Sequence, residues 1–422
     1  MNIAGLGKVA GAFVILWGGA IAPVSAQMDS ISVARMNGAL AEQATYTQAA
    51  ALAWRQFDRL WQNSTGLASA TPDYHKLTSW DIGSVLAALY SGRQLELIDQ
   101  REYDRRLKRT LQTLRTMPLF EGGVFHKIYF ASTAKMAGRS GAVSSKGYGW
   151  SATDLGRLLT WLRIIADQEP AHRAEVERIV ERMNFRKVVS GGYLRGQHTG
   201  SRGQPWQFQE GRIGYEQYAA RGFALWGQPV DSALDLARHA RPIVVLGQPL
   251  LADARGLDRI TSEPFILAGL ETGWTPAMRE LAINVLGAQE ARYRETNLIT
   301  IVSEDAVGVP PHYFYYYCVY CNGKPFMIDV TDPGKFLDKP RWVSTKAAFA
   351  WHVLLPGDYT RLALDYAVKA RTPNGWASGV FEGTGKPTNT HDINTAAIIL
   401  EAAAFRKLGR PFLAPRPAQR PL

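Results

Sequence analysis

Cysteine is nearly absent. The 422 residues hold two, Cys318 and Cys321 in "CVYC". That number excludes a disulfide framework, and two thiols alone do not make a zinc site. A thioredoxin-type centre would need the pair to open a helix after a strand, whereas "HYFYYYCVYC" is strand-like. Positions three apart on a strand point to opposite faces, so a disulfide here requires a turn; a structural disulfide and buried thiols both stay open. Charge is sparse at 20%, which excludes a disordered chain. The charge that exists is biased to basic, +11 net. No run of five basic residues occurs, which argues against nucleic acid as a partner. There is no cofactor or metal motif, and isolated GxG patterns specify nothing.

Long apolar runs are confined to the N-terminus. Lys8 is followed by "VAGAFVILWGGAIAPV" and then "VSA", with Val24 and Ala26 at the small-residue positions of a signal-peptidase site. This predicts a secretory signal over 1–26, cleaved after Ala26. The alternative is a single membrane anchor, but the run falls short of the roughly 20 residues a span needs. The expectation is an exported protein, periplasmic or secreted, starting near Gln27 with no stable membrane span. Removing Lys8 takes the charge from +11 to +10. A basic exported protein is suited to anionic polymers, though simple solubility explains the charge equally well.

Hydrophobic residues make up 46% of the chain and aromatics 11%, including 12 Trp, ample for a large core. Helical periodicity yields about twelve segments of two alternating kinds. Amphipathic, charged segments lie at roughly 37–62, 99–116, 171–187, 230–240, 275–293 and 358–370. Segments apolar nearly all round lie at roughly 80–91, 150–166, 211–226, 262–272, 343–355 and 391–407. A helix apolar on every side must be enclosed by others. Six enclosed helices alternating with six half-exposed ones predict an all-α (α/α)6 toroid over 37–408. A linker at 27–36 precedes it and a Pro-rich tail at 409–422 follows. Links after the apolar helices are short ("GQP", "GW", "PG") and links before them long, so the long ones gather on one face. Long ordered loops commonly build a site. "EGGVFHK", "SGGYLRG" and "NGWASGVFEG" read as tight turns in these loops, and 294–342 reads as a small β insertion.

Acids and aromatics collect where the enclosed helices begin. The mouths offer Trp80 and Asp81; Trp150 and Asp154; Glu210, Arg212, Tyr215 and Glu216; Glu263; Lys346; and Glu382, His391 and Asp392. Any one acid has an ordinary explanation as a cap or a dipole partner, and Glu216 as a partner of Arg212 one turn earlier. Asp154 differs, because it shares a helix flank with Trp150, Leu158 and Trp161, where burial raises a carboxyl pKa. Paired carboxylates beside aromatic rings suit glycoside hydrolysis: one carboxyl protonates the leaving oxygen while a second activates water or attacks carbon. Asp154 with Glu210 or Glu216, and Asp81 nearby, are the candidate catalytic groups. Trp80, Trp150, Tyr215 and Trp376 are candidate sugar platforms. Arg212, Glu263, Glu382, His391 and Asp392 are candidate hydroxyl contacts.

"LGAQEARYRETNLITIVSED", "VSTKAAFAWHVLLPGDYT" and "NTHDINTAAIILEAAAF" resemble a bacterial exported family known as domain of unknown function 3131. "WSATDLGRLL" and "EGRIGYEQYAA" extend the resemblance over most of the mature chain. That family is similar in layout to glucoamylase-like toroids, including β-1,2-glucanases, and occurs in polysaccharide contexts. The resemblance implies an oligo- or polysaccharide partner and hands over no catalytic pair. The expected function is a glycoside hydrolase on a bacterial glucan or exopolysaccharide. The alternatives are a polysaccharide lyase, for which Arg212, Tyr215 and His391 would serve an acidic polymer, and a non-catalytic polysaccharide-binding protein.

Overall fold

A computed structural model describes residues 24–414 except 201, 257, 311, 322 and 331–334. The signal at 1–26 lies almost wholly outside the described residues, as does most of the tail. The chain divides into two units, Met1–Tyr46 and Thr47–Leu422. In the first, the described residues belong to a helix; everything below concerns the second.

Twelve α-helices occur among the described residues: α1 (Val24–Leu60), α2 (Ser79–Gln94), α3 (Gln100–Thr116), α4 (Ala152–Gln168), α5 (Arg173–Glu181), α6 (Tyr215–Ala224), α7 (Asp231–Leu234), α8 (Glu263–Glu271), α9 (Pro276–Thr296), α10 (Thr345–Leu354), α11 (Asp358–Ala367) and α12 (Ile393–Leu408). The six apolar segments become the even-numbered helices. These touch in cyclic order, α2 to α4 to α6 to α8 to α10 to α12 and back to α2. The odd-numbered helices α3, α5, α7, α9 and α11 each pack on the inner helix before them. No described helix is long and apolar enough to cross a membrane.

Three expectations need correction. The linker at 27–36 is helical, being part of α1. The outer helix at 230–240 is a single turn, α7. Its second half enters a hairpin, Ala240–Val245 paired with Gln248–Asp253. The β-branched run "PIVV" and a two-residue turn with positive φ at both Leu246 and Gly247 favour strand there. The chain is also not all-α, since short antiparallel strands thread the long loops. The turns read from Gly beside aromatics are hairpins of the same kind, at Glu121–Gly122 and Gly191–Gly192. The expected insertion forms a four-stranded sheet that includes β1 (Glu304–Val309) and β2 (His312–Tyr317). Cys318 and Cys321 leave that sheet's strand and form a disulfide, Cα atoms 5.7 Å apart.

Two features of α4 position its neighbours. Its glycine meets α6 backbone to backbone: a Cβ on Gly156 would lie 2.5 Å from Ala219 Cα, and one on Gly222 would lie 2.0 Å from the Gly156 carbonyl oxygen. Only hydrogen fits, so the two helix starts are held close together. Arg157, fully buried, donates to Glu401 of α12 (2.9 Å) and Asn394 (3.2 Å) and lies 3.5 Å from Glu271 of α8. Trp161 and Tyr218 donate to the same Glu271 at 2.7 and 2.6 Å.

The close crossing predicts that Gly222→Ala destabilises by about 1–3 kcal/mol, the usual range for overpacking. Gly357→Ala, where a Cβ meets nothing within 4 Å, serves as control. Thermal unfolding checks this, and equal Tm values for the two variants contradict the close packing.

Candidate active site at the ring mouth

The mouth of the ring is lined by the first residues of the inner helices and by the loops that precede them. Ser151 caps α4, accepting from the Asp154 N–H at 3.1 Å. Glu210 arrives from the loop before α6 and accepts the Ala152 N–H and the hydroxyls of Ser151 and Thr153. The free N–H groups and positive dipole end of α4 are therefore spent on Glu210. Asp154, half-exposed to the mouth but surrounded by protein on its other sides, has only the Ser151 hydroxyl. Burial and the Glu210 charge push its pKa up to about 7. Burial raises Glu210 as well, opposed by its hydrogen bonds. Lys127 lies beside both carboxyls and against His198 Nδ1, 3.0 Å away.

Glu216 belongs elsewhere. It is 1% exposed and ion-paired with Arg255, which also holds Asp253. The expected Arg212–Glu216 pair fails for a backbone reason. Gly214, with φ of 97°, delays α6 to Tyr215, so Arg212 lies outside the helix. It donates to the carbonyls of Gly211 and Gly256 instead.

The other candidates divide by burial. Asp81 is the third helical residue of α2 and completes a capping box with Thr78. It also accepts from Asn394 at 3.1 Å. Asp392 is the N-cap of α12, accepting from the Thr395 N–H at 2.8 Å. His391, half-buried, faces Thr372 Oγ1 at 2.7 Å. Tyr215 donates to Glu304. Glu263 pairs with Lys346, and Glu382 forms a two-point pair with Arg292 at 2.9 and 3.0 Å. The three tryptophans chosen as platforms are core residues. Trp80 covers the Arg157 guanidinium at 5.0 Å. Trp150 donates to the Arg195 carbonyl at 2.8 Å, and Trp376 to the Ala49 carbonyl at 3.0 Å. All three are under 10% exposed, so no sugar face reaches them.

The structure adds residues that the helix mouths did not reveal. Adjacent Glu304 and Asp305 on β1 point to opposite faces. Burial raises both, Asp305 to about 7, with Lys346 opposing. Tyr148 and Tyr316 are half-exposed near Asp154. The strand "PWQFQ" pairs with Tyr193–Thr199 and brings Trp206 and Phe208 onto one face. Its alternation was the signal. Among the described residues no group of three or more His, Cys, Asp or Glu is arranged to hold a metal ion. Two surface hollows, beside Glu177 and Trp226 and beside Arg93 and Lys407, lie at the opposite ends of the inner helices.

A raised carboxyl costs stability. The native state keeps a proton on Asp154 that the unfolded chain has lost, so stability falls as pH rises from about 4 through about 7. Asp154→Asn should therefore raise Tm at pH 8 and lose that gain at pH 4. Glu216→Gln should lower Tm at both, by about 1.5–3 kcal/mol, as expected when a hydrogen bond to a charged group is lost. A lower Tm for Asp154→Asn at pH 8 would show that the carboxyl is not held at a cost.

Residues 48–409 match the family described as "Protein of unknown function (DUF3131)". No curated protein is matched. Several solved structures share the fold over most of both chains. An endo-β-1,2-glucanase from Chitinophaga pinensis, bound to sophorotriose and glucose, is 12% identical with a TM-score of 0.62, covering 87% of this chain and 93% of its own. The Talaromyces funiculosus endo-β-1,2-glucanase, bound to sophorose, is 12% identical with a TM-score of 0.58, covering 87% and 85%. A glucoamylase-like protein from Bacteroides caccae is 14% identical with a TM-score of 0.61, covering 87% and 94%. At these identities the likeness is one of fold.

Proposed function

The chain belongs to the DUF3131 family, and from the carboxyls at its ring mouth we propose that it is an exported glycoside hydrolase. Its substrate class would be a bacterial glucan or exopolysaccharide, bound at the mouth of an (α/α)6 toroid. The fold it shares with β-1,2-glucanases and glucoamylase-like proteins supports the class. The observation that carries the reading is the unequal treatment of two neighbouring carboxyls: Glu210 takes the helix N-terminus, and Asp154 keeps its proton near neutrality.

Asp154 then acts as general acid. Its O–H donates to the glycosidic oxygen while the bond from that oxygen to the anomeric carbon breaks. Glu210, ionised, draws a proton from the water whose oxygen bonds to that carbon. Elimination is the less supported chemistry, because the groups a lyase would use are engaged: Arg212 with carbonyls, Tyr215 with Glu304 and His391 with Thr372. The signal at 1–26 supports export.

An oligosaccharide screen separates the readings: hydrolysis adds water, elimination leaves a double bond absorbing in the ultraviolet, and a binder does neither. On the substrate so found, Asp154→Asn and Glu210→Gln should lower turnover at least about 100-fold. The exposed outer-helix change Glu177→Gln should leave it unchanged, and Glu216→Gln should leave it within a few-fold. Because the acid must be protonated, kcat/KM should fall as pH rises through about 7. Full activity in both mouth variants, or no alkaline fall, refutes the assignment.

A further inference from the structure

Charge is segregated along the chain. No acidic residue occurs between Glu121 and Asp154, a stretch that contains Lys127, Lys135, Arg139 and Lys146. None occurs between Glu181 and Glu210, a stretch with five basic residues. The fold joins these two acid-free stretches. Gly149 and Trp150 pair with His198 and Gln197, the Thr199 N–H donates to the Tyr148 carbonyl at 2.7 Å, and Arg139 donates to the Thr199 carbonyl. They form one basic wall beside an acid-lined mouth.

That wall carries an exposed aromatic face. Trp206 is 61% exposed. Its ring lies 5.1 Å from Phe208 and 6.2 Å from His198, at interplanar angles of 34° and 24°. Three rings so nearly parallel make a surface on which a flat apolar face can lie. The face continues into the site: a Cβ on Gly196 would lie 2.6 Å from Glu210 Oε2 and 2.7 Å from the Phe208 ring. Burial together with Lys127 and Arg139 holds the His198 pKa down to about 4. The imidazole is therefore neutral at pH 7 and accepts from Lys127. An apolar core function does not explain a tryptophan left this open.

We propose that Trp206, Phe208 and His198 form a subsite for an acidic sugar unit, whose apolar face lies on the rings and whose carboxylate is met by Lys127 and Arg139. The inference rests on the glycosidase reading and narrows it: the substrate is an anionic polysaccharide, fed along the basic wall toward Glu210 and Asp154. The excess of positive charge supplies long-range attraction to such a polymer, and the rings fix the position of one unit.

Calorimetric titration of the full chain with hexamers of galacturonate and mannuronate, and with a β-1,2-linked glucose hexamer, tests this. The acidic hexamers should bind at least about tenfold more tightly at low salt, with the advantage shrinking as salt screens the wall. Trp206→Ala, an exposed change that leaves Tm alone, should weaken acidic binding about tenfold, and Arg139→Gln should flatten the salt dependence. Equal or tighter binding of the neutral hexamer, no binding of either acidic one, or indifference to Trp206→Ala overturns the proposal. Cleavage of the neutral hexamer at full rate by Trp206→Ala overturns the subsite but leaves the glycosidase reading standing. Salt-sensitive, Trp206-dependent binding of an acidic hexamer without cleavage does the reverse.

Discussion

A single buried guanidinium holds the centre of this molecule. Arg157 has no exposed surface and faces two equally buried carboxyls, Glu271 and Glu401. One positive charge cannot balance two negative ones in such a place. Burial raises both carboxyls, and they hydrogen-bond to one another, so the pair shares a proton. Burying ions costs more than their attraction returns unless the remaining donors and acceptors are satisfied. Here Trp161, Tyr218 and Asn394 supply them. The partners come from α4, α6, α8 and α12, and Ser84 of α2 reaches Asn394. The network thus specifies which helices meet at the axis, a register that apolar packing alone would leave loose.

The same network supports the mouth. Trp80 closes over Arg157, and Asn394 reaches up to Asp81. One turn before Arg157 on α4 sits Asp154. The cation opposing the Asp154 proton is Lys127 rather than Arg157, so the structural charge and the candidate acid are separately controlled. The Gly156–Gly222 crossing sets how closely Glu210 approaches. Function at this site depends on helix starts held by packing one to two turns deeper.

Much of this was legible in the sequence, because the inner helices are apolar on every side and the outer ones are not. All six inner segments fall within a few residues of their places. The outer helix at 230–240 was misread because a helical stripe in "DSALDLARHA" runs into a β-branched hairpin, whose pairing decides the structure. At the site, Asp154 and Glu210 were legible as acids at neighbouring mouths. Glu216, Glu263 and Glu382 were equally legible as acids, but their partners Arg255, Lys346 and Arg292 lie far along the chain, and no local pattern pairs them. Trp80, Trp150 and Trp376 show the limit of composition: a tryptophan near a mouth is not a tryptophan in it. Trp206 and Phe208, which do face outward, announced themselves only by alternation with glutamine.

The central claim is that Asp154 keeps its proton at neutral pH while Glu210 beside it is ionised. Infrared difference spectroscopy across a pH titration reads protonated carboxyls directly. A carboxyl band that disappears around pH 7 in the wild-type protein and is missing from Asp154→Asn is the predicted result. If the two proteins give the same bands, and Asp154 proves ionised by pH 5, the account of this site is wrong.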